Sequence, residues 1–251
     1  MKKEQKIFVI LACLFVANAL IAEFIGVKIF SLESSFGFEP LSYSLFGQEM
    51  NLSFTAGVII WPVVFVLTDI INDFYGKKAV KFLTYVAVAV IIYAFITVNF
   101  AIKATPVQWW IDVNKANGVP NSDLAFRYIF GQGQNIIVGS LVAFVIGQLL
   151  DASVFHALKT RSKNNALWIR ATVSTLISQF IDSFVVIIIA FKIGQNWSWA
   201  QVLSVSINNY IYKGLVALLM IPILFMVHKW IENYLGKEKS EEMRNQATVL
   251  E

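Results

Sequence analysis

The sequence predicts an all-α integral membrane protein of six transmembrane helices, with both termini cytoplasmic, a short external hairpin and an external helical loop. Three observations carry that reading. Of 251 residues, 57% are hydrophobic and 14% charged, where a soluble domain carries roughly 25% charge. The 21 Phe, seven Trp and eight Tyr are more apolar rings than a polar surface hides. Apolar runs at about 7–30, 54–75, 80–102, 135–156, 169–193 and 206–231 each reach the ~20 residues that cross a bilayer. Six crossings leave short connections and no room for a sizeable soluble domain. A transmembrane domain over 1–236 and a polar cytoplasmic tail over 237–251 follow. The net charge of +4 sits in short clusters beside apolar runs, which is no nucleic-acid footprint. The single cysteine, Cys13, excludes an internal disulfide and a cysteine-based metal site.

Lys2, Lys3 and Lys6 before the first run, with Ala17-Asn18-Ala19 inside it, imitate a secretory signal. The run continues to Phe30, too long for a signal core and suited to a span. Glu23 and Lys28 lie near its external end and are assigned no chemistry. Residues 31–53 hold Glu33, Glu39 and Glu49 and no base. The alternation in Leu41–Leu45, resumed from Met50 to Phe54 after Phe46-Gly47-Gln48, predicts a small hairpin.

In the second run Pro62 permits a kink. Trp61 beside it either stacks on a flat ligand or anchors the interface. An ionisable side chain at membrane depth costs a few kcal/mol, so each is a candidate for function or internal pairing. Asp69 and Asp73 are one helical turn apart and face the same way. Asp73 reads as solvated at the cytoplasmic end; for Asp69 a solvated end or a structural pairing competes with a substrate or ion site. Residues 106–134 form the partly helical loop, with Ser122 capping a short segment through Phe130. Its Leu124, Phe126, Ile129 and Phe130 turn toward lipid or protein.

The fourth run carries Gln148 and Asp151 on one face, where structural and functional readings are balanced. The fifth carries Ser178, Gln179 and Asp182 in mid-span, far from any water interface, which favours a ligand or ion site. Lys213 is the cation in the interior of the sixth run; Lys229 lies at its end. Lys213 needs a carboxylate partner, Asp182 or Asp151, unless it snorkels to an interface. His156 and His228 fall at cytoplasmic ends as interfacial side chains. The tail Lys237–Glu251 reads as polar and mobile.

Orientation follows from the cations. One side holds Lys2, Lys3, Lys6, Lys77, Lys78, Lys81, Lys159, Arg161, Lys163, Arg170, Lys229, Lys237, Lys239 and Arg244; the other holds Lys28, Lys103, Lys115, Arg127 and Lys192. By the positive-inside rule the richer side is cytoplasmic. No phosphate-binding Gly-Lys-Ser/Thr loop, His-Glu-x-x-His, Gly-x-Ser-x-Gly or dinucleotide glycine pattern occurs. The chain therefore shows no ATP-hydrolysing machinery and no cofactor motif, and no enzymatic activity is expected.

Four ordered segments resemble signatures of the queuosine precursor transporter family, also called the vitamin uptake transporter family. They are Trp61-Pro62-Val63-Val64-Phe65-Val66-Leu67-Thr68-Asp69 closing with Phe74-Tyr75-Gly76, Gly147-Gln148-Leu149-Leu150-Asp151 with Val154-Phe155, Ser178-Gln179-Phe180-Ile181-Asp182-Ser183 running on to Ile189-Ala190-Phe191, and Asn209-Tyr210 with Lys213. The resemblance implies an importer of 7-deazaguanine bases in the bacterial inner membrane, serving tRNA queuosine modification. It implies 7-cyano-7-deazaguanine, the aminomethyl base or queuine as cargo, with Asp69, Asp151, Gln179, Asp182, Tyr210 and Lys213 as binding residues. Asn209 departs from relatives that have Asp there, which removes a charge from a proton-coupling scheme.

The chemistry suits such a cargo. A guanine-like edge offers two parallel donors that one carboxylate accepts, and its carbonyl needs a donor such as Lys213 or Gln179. Trp61 or Phe65 would cover the ring. Asp182 is the first choice for the carboxylate. The partners expected are a small-molecule 7-deazaguanine substrate and the lipid bilayer, with a homo-oligomer or a coupling module compatible and no nucleic acid. The alternative is a substrate-binding subunit of an energy-coupling-factor importer, for which the small-residue pairs Cys13/Ala17 and Ala22/Gly26 are the docking hints. An intramembrane enzyme using the aspartates as a catalytic pair is a third reading, with no supporting protease signature.

Overall fold

The computed structural model describes residues 1–161, 167–193 and 196–249. Lys163, counted among the cytoplasmic cations, lies outside them. Helix α1 (Lys3–Ile25) buries Ile7, Leu11, Phe15 and Ala19, a four-residue repeat that makes one continuous face. After it the chain forms strand β1 (Ile29–Ser31), a short helix α2 (Leu32–Ser35), and strands β2 (Tyr43–Leu45), β3 (Gln48–Met50) and β4 (Ser53–Thr55). A 3-10 turn over Ala56–Ile59 leads into α3 (Trp61–Tyr75), followed by α4 (Lys77–Lys103) and α5 (Gln108–Ala116). Helix α6 (Ser122–Arg161) is followed by α7 (Leu167–Ile187), which ends in a π-helical segment, Ile188–Ile193. Helices α8 (Trp199–Leu219), α9 (Ile221–Leu235) and α10 (Lys237–Val249) complete the described chain.

Among the described residues five helices are long and apolar enough to cross a membrane: α1, α4, Ile137–Arg161 of α6, α7 with its extension, and α8. The chain is an all-α membrane protein apart from the two strand pairs. The second apolar run is divided into β4, the 3-10 turn and α3, whose 15 residues span only about 22 Å at 1.5 Å per residue. Pro62 begins α3 instead of kinking it, because its missing N–H is harmless in a first turn and breaks a helix elsewhere. The sixth run is interrupted in the same way at Met220, before Pro222, and its helix α8 starts earlier than expected, at Trp199.

The α1 stripe packs on Val64, Ile70, Ile71 and Phe74 of α3 and on Val80, Leu83, Ala87 and Ile91 of α4. Phe82, Tyr93, Ile96 and Phe100 project outward from α4, as lipid-facing side chains do. Between α4 and α6 lies an open groove of about 850 Å³, almost wholly apolar. On α1, Cys13 and Ala17 face outward, whereas Ala22 and Gly26 are taken up inside the fold. A Cβ on Gly57 would stand 3.0 Å from the Ala22 carbonyl and 3.5 Å from the Gly26 Cα, so these small residues let the 3-10 turn approach α1.

A hairpin forms in the expected stretch, but its second strand is Gln48–Met50 instead of Met50–Phe54, and Ser53–Thr55 pairs with Ile29–Ser31. Strands β2 and β3 pair antiparallel with Leu45 opposite Gln48, and Phe46 (φ 50°) and Gly47 (φ 74°) supply the two positive-φ positions of a tight turn. Strands β1 and β4 pair behind them, with Phe30 opposite Phe54. Tyr43 donates to Asn208 Oδ1 (2.6 Å), Asn208 Nδ2 to the Asn51 carbonyl (3.3 Å), and Ser204 to the Leu45 carbonyl (2.8 Å), tying this cap to α8. Glu33 is buried at its centre and accepts from the Ser31 hydroxyl (2.8 Å) and from the Leu52 and Leu41 amides (3.0 and 3.4 Å). Burial by itself raises the Glu33 carboxyl, but these donors, with its own amide, outweigh it and hold the group below the ordinary carboxylate value. A depressed folded value means the stabilisation is fully present above the ordinary carboxylate range and is lost as pH falls through the folded value. Protection of the Leu41 and Leu52 amides, as exchange relative to the intrinsic rate at each pH, is therefore expected to be high at neutral pH and to be lost as pH falls below the ordinary carboxylate range. In Glu33→Gln protection should be low at both; unchanged protection in that variant would dismiss Glu33 as the organiser.

The loop reading of 106–134 is corrected. Asn121 caps α6, its side chain accepting from the Leu124 amide (3.0 Å), and Ser122 is the first residue of a helix that runs unbroken through Phe130 to Arg161. The tail is also corrected. Residues Lys237–Val249 form α10, which buries Ser240, Met243 and Ala247. Arg244 binds Glu232 of α9 at 3.3 Å, so the apolar residues hidden in a polar stretch hold this segment against the bundle.

Candidate functional site

The Lys213 ammonium donates to Asp182 Oδ2 at 2.5 Å, joining α8 to α7. This is one of the two pairings expected for Lys213, and it opens onto a cavity of about 180 Å³. Trp61 and Phe144 form an aromatic wall, their ring centres 5.5 Å apart. Gly26, Gly57 and Val58 close the end nearest the hairpins. Gly147 of α6 faces Asp182 of α7, and a Cβ there would stand in ordinary contact, 3.6 Å from the Asp182 Cβ. Pockets for drug-sized ligands run to roughly 300–1,000 Å³; this one has the size of a single small heterocycle.

Three polar lining residues were not foreseen in this role. Glu23 of α1 accepts from the Ser140 hydroxyl of α6 at 2.6 Å, and Asn209 of α8 adds an amide. Glu23 carried the same signal as Asp182, an acid inside an apolar run, but lay close enough to the run's end to pass as solvated. Ser140 and Asn209 are ordinary polar residues in sequence, and only helix rotation aims them inward.

A second polar cluster lies deeper between α3, α6 and α7. Thr68 donates to Gln148 Oε1 (2.9 Å), Asn72 Nδ2 to the Ala152 carbonyl (3.0 Å), and Ser178 to Asp151 Oδ1 (3.2 Å). Asp69 is buried there, with Asp151, Asp73 and Arg170 as its charged neighbours. Asp69 Oδ1 and Gln179 Oε1 have no hydrogen-bond partner among the described residues. Of the residues singled out in the sequence, Trp61, Asp182 and Lys213 line the cavity, while Asp69, Asp151 and Gln179 do not. Phe65 does not line the cavity; it stacks on Trp61 at 6.2 Å and lines a separate, much smaller pocket that shares the Trp61 and Lys213 walls. Tyr210 packs edge-on against Phe180 at 5.3 Å, and its neighbour Asn209 faces the cavity instead.

The third cluster corrects two expectations. Asp73 is 0% exposed, not solvated. It accepts from Arg170 Nη2 at 3.2 Å and meets His228 Nε2 at 3.1 Å and the Lys159 ammonium at 3.6 Å. His228 is buried against Phe74, ring centres 4.9 Å apart, and is not an interfacial side chain. Arg170 also lies over the Phe155 ring. One carboxylate thus ties α3 to α6, α7 and α9, and two cations that sequence counting put at the water interface are internal. Among the described residues no group of three or more His, Cys, Asp or Glu is arranged to hold a metal ion.

Comparison with known proteins bears on the family of the chain. A curated protein of Bacillus subtilis (strain 168), named "Probable queuosine precursor transporter", is 27% identical over 188 residues, covering 74% of this chain and 76% of its own. One of the same name from Haemophilus influenzae is 25% identical over 186 residues, covering 72% and 71%. No solved structure matches. The family model described as "Putative vitamin uptake transporter" matches residues 55–227, a stretch that contains the Trp61, Asp182 and Lys213 walls of the cavity. On that match, over more than half its length, the chain belongs to the vitamin uptake transporter family, a family of membrane transporters and not of enzymes.

Proposed function

We propose that this chain imports queuosine precursors, 7-deazaguanine bases, across the bacterial inner membrane and holds the base in the Asp182–Lys213 cavity. The observation that carries the reading is that ion pair, set against an aromatic wall in a space of one small heterocycle, in a chain whose relatives are named for this cargo. The Asp182 carboxylate accepts the two adjacent donors of the guanine-like edge, and Lys213 turns to the ring carbonyl. Trp61 covers the ring face. The Asp69, Asp151 and Gln179 cluster continues the polar groups toward Asp73 and serves as the next station on the path, since buried polar groups in a membrane mark routes for cargo or ions.

In this reading the pole bearing both termini is cytoplasmic, following the excess of Lys and Arg there. The hairpin cap is external, and α3 with its 3-10 turn completes the sixth crossing. The test is uptake in a strain unable to synthesise the precursors, supplied with the nitrile base, the aminomethyl base or queuine in turn and read as queuosine in its tRNA. Expression of the chain should restore queuosine with at least one cargo. Restoration by none of the three would remove the assignment.

A further inference from the structure

The charges of the cavity do not match one another. Among the described residues its lining holds three ionisable groups: Glu23, Asp182 and Lys213. Lys213 is committed to Asp182 at 2.5 Å. Glu23 stands on a different wall, on α1, and its partner is the neutral hydroxyl of Ser140 at 2.6 Å. Lys28, five residues further along and beyond the end of α1, is exposed and lines a different cleft, at the hairpin pole. A carboxylate in such surroundings either holds a proton or meets a cation, because an isolated charge at this depth is costly. Ser140 satisfies one lone pair of one oxygen, and a carboxylate has about four acceptor sites. The group is therefore placed and oriented while most of its accepting capacity is left for whatever enters.

From this we infer that Glu23 is the specificity residue of the cavity: its carboxylate receives a positively charged substituent of the cargo, so that a flat base bearing a primary ammonium is selected over its neutral counterpart. The inference rests on the cargo reading above and adds to it a choice within the class. With the two-donor edge of the base at Asp182, the opposite end of the ring is directed to another wall of a small space. An aminomethyl group there presents three donors and one positive charge to Glu23. A nitrile presents an acceptor, which Glu23 could meet only by carrying a proton.

The test is binding of the aminomethyl and nitrile bases to the purified full-length chain at neutral pH, read from quenching of tryptophan fluorescence, since Trp61 lines the cavity. Wild type is expected to bind the aminomethyl base about tenfold or more tightly, the scale of one charge-assisted contact. Glu23→Gln keeps the shape and the Ser140 hydrogen bond and should lose that preference by weakening the aminomethyl base, with the nitrile within about threefold of wild type. Ser140→Ala keeps the charge and should retain the preference. Equal affinities in wild type, or a preference that survives in Glu23→Gln, would overturn the inference while leaving the cargo class standing. Loss of both bases in Glu23→Gln and Ser140→Ala alike would make Glu23 a framework group and overturn it too. Binding of neither base by wild type would remove the cargo assignment and this inference with it.

Discussion

Asp182→Asn is expected to abolish uptake while the protein remains folded and inserted. The substitution is nearly isosteric, so the cavity keeps its shape, but it replaces one of two acceptor oxygens by a donor. The paired donors of a guanine-like edge then face an NH2 group, and Lys213 loses its counter-charge. Removing one member of a hydrogen-bonded charge pair at a binding site costs roughly 2–5 kcal/mol. That corresponds to a loss of about thirtyfold to several thousandfold in affinity. Asp182 and Lys213 keep 20% and 15% side-chain exposure, so the ammonium left behind reaches water through the cavity and the stability cost stays small. Uptake rate and thermal midpoint, measured on the same preparation, separate the two effects. Uptake at the wild-type rate would take Asp182 out of the mechanism.

Asp73→Ala is expected to act in the opposite way, on folding first. Its side chain is 0% exposed and faces Arg170, Lys159 and His228, the first two with side chains only 2% and 4% exposed. Deleting the carboxylate leaves two cations in the interior without the charge they face; Lys159 keeps only the backbone carbonyl of residue 73 as an acceptor (2.5 Å). Breaking a buried pair by removing one partner costs about 3–5 kcal/mol, a large part of the 5–15 kcal/mol that holds a typical domain together. Helices α3, α6, α7 and α9 all meet at this point, so thermal unfolding in detergent should shift strongly downward. Co-substitution of Arg170→Gln should recover part of the loss, because it removes one of the stranded charges. A thermal midpoint equal to wild type in Asp73→Ala would show that these helices are held by packing alone.

The contrast between these two carboxylates shows how far residue order can be read. Both are acids in apolar runs, and from sequence Asp73 looked the more solvated because it lay nearer a run's end. Burial near an end depends on what covers it. Here α9 and the folded tail helix α10 complete that pole, although the tail's composition gives no sign of packing beyond Met243 and Ala247. Glu23 was discounted by the same positional argument and lies on the cavity wall. Tyr210 and Asn209 are neighbours in one signature, yet helical geometry turns successive residues about 100° apart. Only Asn209 faces the space between α1, α6, α7 and α8.

Sequence alone determined the solvent, the helical class, the presence of a hairpin after Leu41, the family signatures and the pairing of Lys213 with an acid. The signatures rest on resemblance to a family; the others follow from local rules: apolar run length, alternation with turn residues, and the cost of an unpaired charge in lipid. Tertiary structure alone decided that Asp182 shares its cavity with Glu23 while Asp69 and Asp151 meet elsewhere, that Asp73 is a buried clamp, and that the second and sixth runs break at their prolines. Those outcomes depend on the rotation and depth of one helix against another, which the periodicity of a single helix does not contain.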